Sequence, residues 1–155
     1  MRERLALSTM ALVTGRFVAG ERTPSLTEFI RLLGMPRHVL QTVVDALESE
    51  KLLLQSSDDP PLYLLGRDPA LISVTQVLET VRSAGEERFL SPVELPAAPA
   101  VDAVFERMRL ALDTAVGGIS LRDLAAQGSA AMPPMPPAAP APREVLPGAD
   151  GRSPP

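Results

Sequence analysis

The amino-acid sequence predicts a mainly α fold: a winged helix-turn-helix with a two-stranded β-hairpin wing, extra C-terminal helices and a disordered Pro-rich tail. Three features carry that expectation. Two short amphipathic segments meet at Gly34-Met35-Pro36, where one helix has its stop and the next its start. Two brief apolar runs come next, Lys51 to Gln55 and Leu62 to Leu65, around the polar turn Ser56 to Pro61. Aromatic residues are scarce, with four Phe, one Tyr and no Trp. Leu, Val, Ile, Met and Ala must therefore fill the core, which suits packed helices better than a sheet sandwich.

Taken in order, residues 5–18 read as a helix, with Leu5, Met10, Val13, Phe17 and Val18 available for a buried face and Gly20 beyond its end. Ser25-Leu26-Thr27-Glu28 is a capping box: hydroxyl and carboxylate each satisfy a backbone N–H at a helix entry. Leu26, Phe29, Ile30 and Leu33 form the stripe of that second helix, and Gly34 ends it. Pro36 opens a third helix, Arg37 to Glu50, with Val39, Leu40, Val43, Val44 and Leu47 directed inward. A helix-turn-helix followed at once by a hairpin is a winged helix. Ser73-Val74-Thr75-Gln76 reads as a second capping box, opening a helix that buries Val74, Val77, Leu78 and Val81. Val101 to Val116 resumes helical periodicity until Gly117-Gly118, and Ser120-Leu121-Arg122-Asp123 starts a short last helix. The chain thus divides into a winged-helix domain over 1–83, a linker over 84–100, C-terminal packing or dimerisation helices over 101–127, and a Pro/Ala-rich tail over 128–155. That tail carries nine of the seventeen prolines and no apolar periodicity.

Composition excludes several chemistries. With no cysteine there are no disulfides, no thiol nucleophile and no thiolate metal site. A lone histidine, His38, cannot build a multi-histidine centre, and neither a phosphate-cradling glycine loop nor a Ser/His/Asp set is present. Catalytic residues, metal ligands and cofactors are accordingly expected to be none. Residues 5–13 are too short an apolar run to span a bilayer, and Arg16 falls where a signal peptide would need an uncharged cleavage region. The expectation is a cytoplasmic, non-enzymatic chain.

In a helix-turn-helix, the start of the second helix faces base edges. Here it offers Arg37, His38, Gln41 and Thr42, all able to bond phosphate or bases. Asp45, Glu48 and Glu50 follow on the same helix, and Asp58 and Asp59 stand at the wing tip. Those carboxylates repel phosphate, and the net charge of −4 offers no general attraction to a polyanion. Charge therefore disfavours DNA and favours a solvated, capped surface. His38 beside Arg37 reads as an ordinary surface residue rather than a pH sensor. The apolar stripe Val101, Val104, Phe105, Met108 and Leu112 admits two partners. One is a second copy, giving a homodimer; the other is the helices at 5–18 and 73–82 of the same chain.

Several motifs resemble the cytoplasmic C-terminal winged-helix region of the YihY/BrkB family, integral inner-membrane proteins of bacteria. They are Pro24-Ser25-Leu26-Thr27-Glu28, Leu33-Gly34-Met35-Pro36-Arg37, Val44-Asp45-Ala46-Leu47-Glu48, Leu52-Leu53, and Tyr63 to Pro69 with Ile72-Ser73-Val74 and Val77-Leu78. Ile119 to Leu124 extends the likeness, which covers roughly residues 2–126. It implies an interaction or regulatory domain at the cytoplasmic face of the inner membrane, partnered by its own membrane domain. The same pattern is similar to IscR/NsrR-like transcription regulators, which share the winged helix and a long dimerisation helix. Their three clustered cysteines for an iron–sulfur cluster are absent here. From sequence, the membrane-associated domain is the favoured function, and a winged-helix DNA-binding regulator without cluster cysteines is the alternative.

Overall fold

The computed structural model describes residues 1–84 and 98–128. Its elements are α1 (Arg2–Val18), α2 (Leu26–Leu33), α3 (Arg37–Ser49), β1 (Leu53–Gln55), β2 (Tyr63–Leu65), a 3-10 turn (Pro69–Leu71), α4 (Val74–Ser83), α5 (Pro99–Val116) and α6 (Leu121–Gly128). The fold is mainly helical with one antiparallel hairpin, a winged helix. The tail expected over 128–155, apart from Gly128 at the end of α6, and most of the linker expected over 84–100 lie outside the described residues.

Helix α1 is the centre of the packing. It contacts α2, α3, α4, α6 and β2, and Leu5, Ala6, Met10, Leu12 and Val13 are buried along it. Phe17 and Val18, expected inside, are 52% and 58% exposed. The buried residues of α1 stop at Thr14, so its last turn runs on past the elements that cover the rest of the helix. Periodicity places a residue on a face but does not say how far along the helix the cover extends.

The capping box forms as the sequence predicts. The Ser25 hydroxyl accepts from the Glu28 N–H at 3.4 Å, and the Glu28 carboxylate accepts from the Ser25 N–H at 2.7 Å. Gly34 closes α2 in the left-handed conformation, φ 61°, its N–H donating to the Ile30 carbonyl at 3.0 Å. Helix α3 then buries Leu40, Val43, Val44, Ala46 and Leu47, while Val39 is only half-buried. At the second expected capping box, the Ser73 hydroxyl accepts from the Gln76 N–H at 3.1 Å.

The wing pairs Leu53 with Leu65, Leu54 with Leu64 and Gln55 with Tyr63. Alternation sends Leu53 and Tyr63 into the core and Leu54 and Leu64 outward. Lys51 does not join the strand; it turns the chain out of α3 with φ 55°, and the Leu52 N–H reaches back to the Leu47 carbonyl at 2.9 Å. The hairpin has a further neighbour that periodicity did not announce. The Tyr63 N–H donates to the Pro24 carbonyl at 3.0 Å, and Ser25 bridges Leu62, so the segment before α2 lies along the wing. Phe29 of α2 meets Tyr63 with ring centroids 5.5 Å apart.

A second long-range tie closes the domain. The Val74 N–H donates to the Ile119 carbonyl and the Leu121 N–H to the Ile72 carbonyl, each at 2.9 Å. This returns the chain from α5 to the body and seats α6 on α1, burying Leu121 and Ala125. The Ser120 hydroxyl and Asp123 carboxylate cap α6 reciprocally.

Gly66 is where the wing base is tightest. A Cβ there would stand 1.9 Å from the Lys51 carbonyl oxygen, and the Gly66 N–H already donates to the Leu52 carbonyl at 3.0 Å. Backbone on both sides leaves no flexible group to yield. Gly66→Ala is therefore expected to destabilise by about 2–3 kcal/mol. Gly118→Ala, which meets nothing within 4 Å, should fall within about 0.5 kcal/mol of the parent in urea unfolding.

Candidate nucleic-acid interface

The inner face of α3 is fixed by its buried Leu40, Val43, Val44, Ala46 and Leu47, which leaves the opposite face to solvent. On that face Arg37, His38, Thr42 and Asp45 are exposed and Gln41 is half-buried. The four residues expected from sequence to contact nucleic acid are thus brought together, as two adjacent rows along one helix. In the first row, Gln41 Nε2 donates to Asp45 Oδ1 at 2.7 Å. In the second, the Thr42 hydroxyl donates to the His38 carbonyl at 3.0 Å, leaving its oxygen to accept. Arg37 and His38 stand at the N-terminal end, the end a recognition helix presents to bases.

Carboxylates crowd the rest of the surface. Desolvation first, and then the nearby Asp45 carboxylate, push the Glu48 carboxyl above its ordinary range, while a hydrogen bond with Gln55 of the wing opposes them. Burial, followed by the Glu48 and Asp45 charges, raises the Tyr63 phenol, with Arg37 opposing. Helix α3 and strand β2 therefore share one electrostatic environment. At Glu28, burial opposes ionisation, but the hydrogen bonds from Ser25 and the charges of Arg22 and Arg31 outweigh it and hold the carboxyl below its ordinary value.

The wing turn is organised by Ser56, a role that sequence reading missed. Its hydroxyl donates to Asp58 Oδ2 at 2.7 Å and accepts from the Leu62 N–H at 3.0 Å. A serine just after a strand and two residues before an aspartate was the available signal. Residues 57–61 are exposed, so the tip presents Asp58 and Asp59 to solvent. Sequence reading also passed over the exposed Arg22 and Arg31, which add positive charge around Glu28.

The stripe on α5 is the largest departure from a closed domain. No residue of α5 is buried: Val101, Val104, Phe105 and Met108 are exposed, the last two by 65% and 59%, and Leu112 is half-buried. The helix touches α4, and Arg109 pairs with Glu106 at 2.7 Å, but among the described residues nothing covers its apolar face. The intrachain partner expected as one option does not bury the stripe, because α1 is already covered by α4 and α6.

Among the described residues no helix is long and apolar enough to cross a membrane, and no group of three or more His, Cys, Asp or Glu could hold a metal ion.

A helix-turn-helix with a wing beside its second helix defines a winged-helix domain. Solved structures similar to it include the global cysteine regulator CymR (YrzC) of B. subtilis, at 24% identity and a TM-score of 0.59 over 82% of this chain and 95% of that one. IscR of T. potens is similar at 18% identity and a TM-score of 0.62, over 87% of this chain and 91% of that one. The oxidised form of Staphylococcus aureus CymR follows at 20% and 0.60, over 81% and 93%. No family model matches the chain, and no curated protein matches it. The IscR-like resemblance is thus supported at the level of fold, whereas nothing supports the YihY/BrkB link or an inner-membrane partner.

The raised Glu48 carboxyl has a consequence for stability. Its folded-state value lies above the unfolded one, so folding disfavours the ionised form; the associated stability is present in acid and lost as pH rises through the folded value. Glu48→Gln should stabilise the protein at neutral pH, by under about 1 kcal/mol because the group is partly solvated. The gain should vanish in acid, and thermal unfolding across pH reads it.

Proposed function

We propose that this chain is a winged-helix DNA-binding transcriptional regulator without cluster-binding cysteines, non-catalytic and acting in the cytoplasm as a homodimer through α5. One observation carries the reading. Arg37, His38, Gln41 and Thr42 share the solvent face of the second helix of a helix-turn-helix, with the opposite face locked in the core. The similarity to regulator structures over nearly their whole length supports it. This reverses the order that charge and motif resemblance suggested from sequence, where the membrane-associated domain stood first.

Charge still shapes the mode of binding. With a net charge of −4 and an acidic wing tip, non-specific attraction to phosphate is weak, so affinity must come from few contacts made twice. Two copies joined through α5 would supply that doubling, since the second head binds at high effective concentration. The stripe Val101, Val104, Phe105, Met108 and Leu112 is the surface such a dimer would use.

The test begins with fluorescence anisotropy on labelled duplexes at low salt. Affinity should fall steeply with added salt, and Arg37→Ala should weaken binding by about tenfold. Salt-insensitive or undetectable binding would contradict the reading. Sedimentation velocity tests the dimer separately. Val104→Glu with Met108→Glu is expected to shift the protein to monomer while leaving its helical circular dichroism in place, because neither side chain is part of the core.

A further inference from the structure

The hydrogen bond between Gln41 and Asp45 points beyond general DNA binding. Asp45 lies one turn after Gln41 on the exposed face of α3, and its Oδ1 accepts from Gln41 Nε2 at 2.7 Å. An ionised carboxylate has acceptors only. Of the two ends of the Gln41 amide, it can hold only the NH₂ end. The amide is thereby biased toward one of its two orientations, a choice that a free glutamine side chain leaves open.

The NH₂ group carries two protons, and Asp45 uses one. With Asp45 holding the proton anti to the carbonyl, the syn proton and the carbonyl oxygen form the donor–acceptor fork that matches N7 and N6–H of adenine in the major groove. Arg37, one turn earlier in the same row, offers a fork of donors that fits guanine O6 and N7 instead. The negative charge of Asp45 meanwhile opposes the approach of phosphate.

We propose that Gln41 reads adenine and that Asp45 is its positioning residue, giving up affinity for selectivity. This rests on the DNA-binding reading above. Removing Asp45 should move affinity and selectivity in opposite directions. A purely structural role would move neither in that way, since Asp45 is exposed and lies outside the core.

The experiment uses the full chain and a pool of short duplexes of randomised sequence, from which bound members are sequenced. Total affinity is measured in parallel on one fixed duplex. The parent protein should enrich adenine at one position per half-site, and Gln41→Ala should abolish that enrichment, about a tenfold loss of discrimination. Asp45→Ala should relax the adenine preference severalfold while binding the fixed duplex more tightly. Asp45→Asn should also relax it, because an amide offers both a donor and an acceptor and lets Gln41 sit either way round.

Thermal melting of each variant should match the parent. If Asp45→Ala and Asp45→Asn both keep the parent's base profile, the positioning role is overturned and the DNA-binding reading stands. A cytosine preference lost in Asp45→Ala with adenine intact makes Asp45 a direct reader, and overturns the proposal likewise. Absence of binding to any duplex at low salt overturns the DNA-binding reading and this inference with it.

Discussion

Five residues on one side of α3 decide what the other side can do. Leu40, Val43, Val44, Ala46 and Leu47 are buried, and Leu40, Val44 and Leu47 are completely so. Burial of a large aliphatic side chain is worth about 1.5–3 kcal/mol, so rotating α3 to offer a different face would expose most of a domain's net stability. Arg37, His38, Gln41, Thr42 and Asp45 are turned outward by that constraint rather than by any contact of their own. The wing depends on it too. Leu52 leaves α3 through the turn at Lys51 and enters the same core, bringing β1 and β2 alongside the helix.

The electrostatics of this face differ from those of a strongly basic polyanion-binding surface, and the proposed DNA-binding reading gives that difference a physical use. A strongly basic reader gains affinity from phosphates everywhere along a duplex, and most of that gain carries no sequence information. Here the cations at the start of α3 are followed by Asp45, Glu48 and Glu50, and the wing tip is acidic. In a DNA reader this charge pattern would suppress non-specific affinity along with specific affinity. What survived would be set by geometry at base edges, where each well-made bidentate pair discriminates by about 1–3 kcal/mol. Low net attraction and high discrimination are compatible, provided two heads act together.

Much of the fold was legible in the sequence because its signals are local. The Ser25–Glu28 box, the left-handed Gly34 and the polar turn between two apolar runs each involve residues within a few positions of one another, and each formed. Long-range ties were not legible. Nothing in periodicity pairs Ser25 with Leu62 or Ser73 with Ser120, since such bridges depend on where the chain returns. The same limit explains Phe17 and Val18, which lie on the correct face of α1 but beyond the reach of its neighbours. At the site, the residue types at 37, 38, 41 and 42 could be read off the helix start. The link from Gln41 to Asp45 follows the i, i+4 rule and was available in principle. Its meaning needed the structure, because only there is the pair seen to lie on the solvent face. The motif likeness to a membrane-protein domain illustrates the converse: capping boxes and helix-turn-helix spacing recur wherever the fold does, so they identify the architecture and not the protein that carries it.

The long helix ties these strands together. α5 is held at its C-terminal end by the Val74–Ile119 and Ile72–Leu121 bonds, and from that anchor it carries an apolar stripe that none of the described residues buries. A stripe of this kind on an amphipathic helix is costly to leave in water, and the most economical cover is its own symmetry mate, since a two-fold axis pairs each apolar patch with an identical one. Such a pairing would also fix the separation of the two reading helices, and with it the spacing of half-sites. On the proposed reading, the weak charge of each head and the open stripe on α5 would be parts of one arrangement: a single head would bind feebly, and a helix joining two of them would convert two modest free energies into one useful affinity.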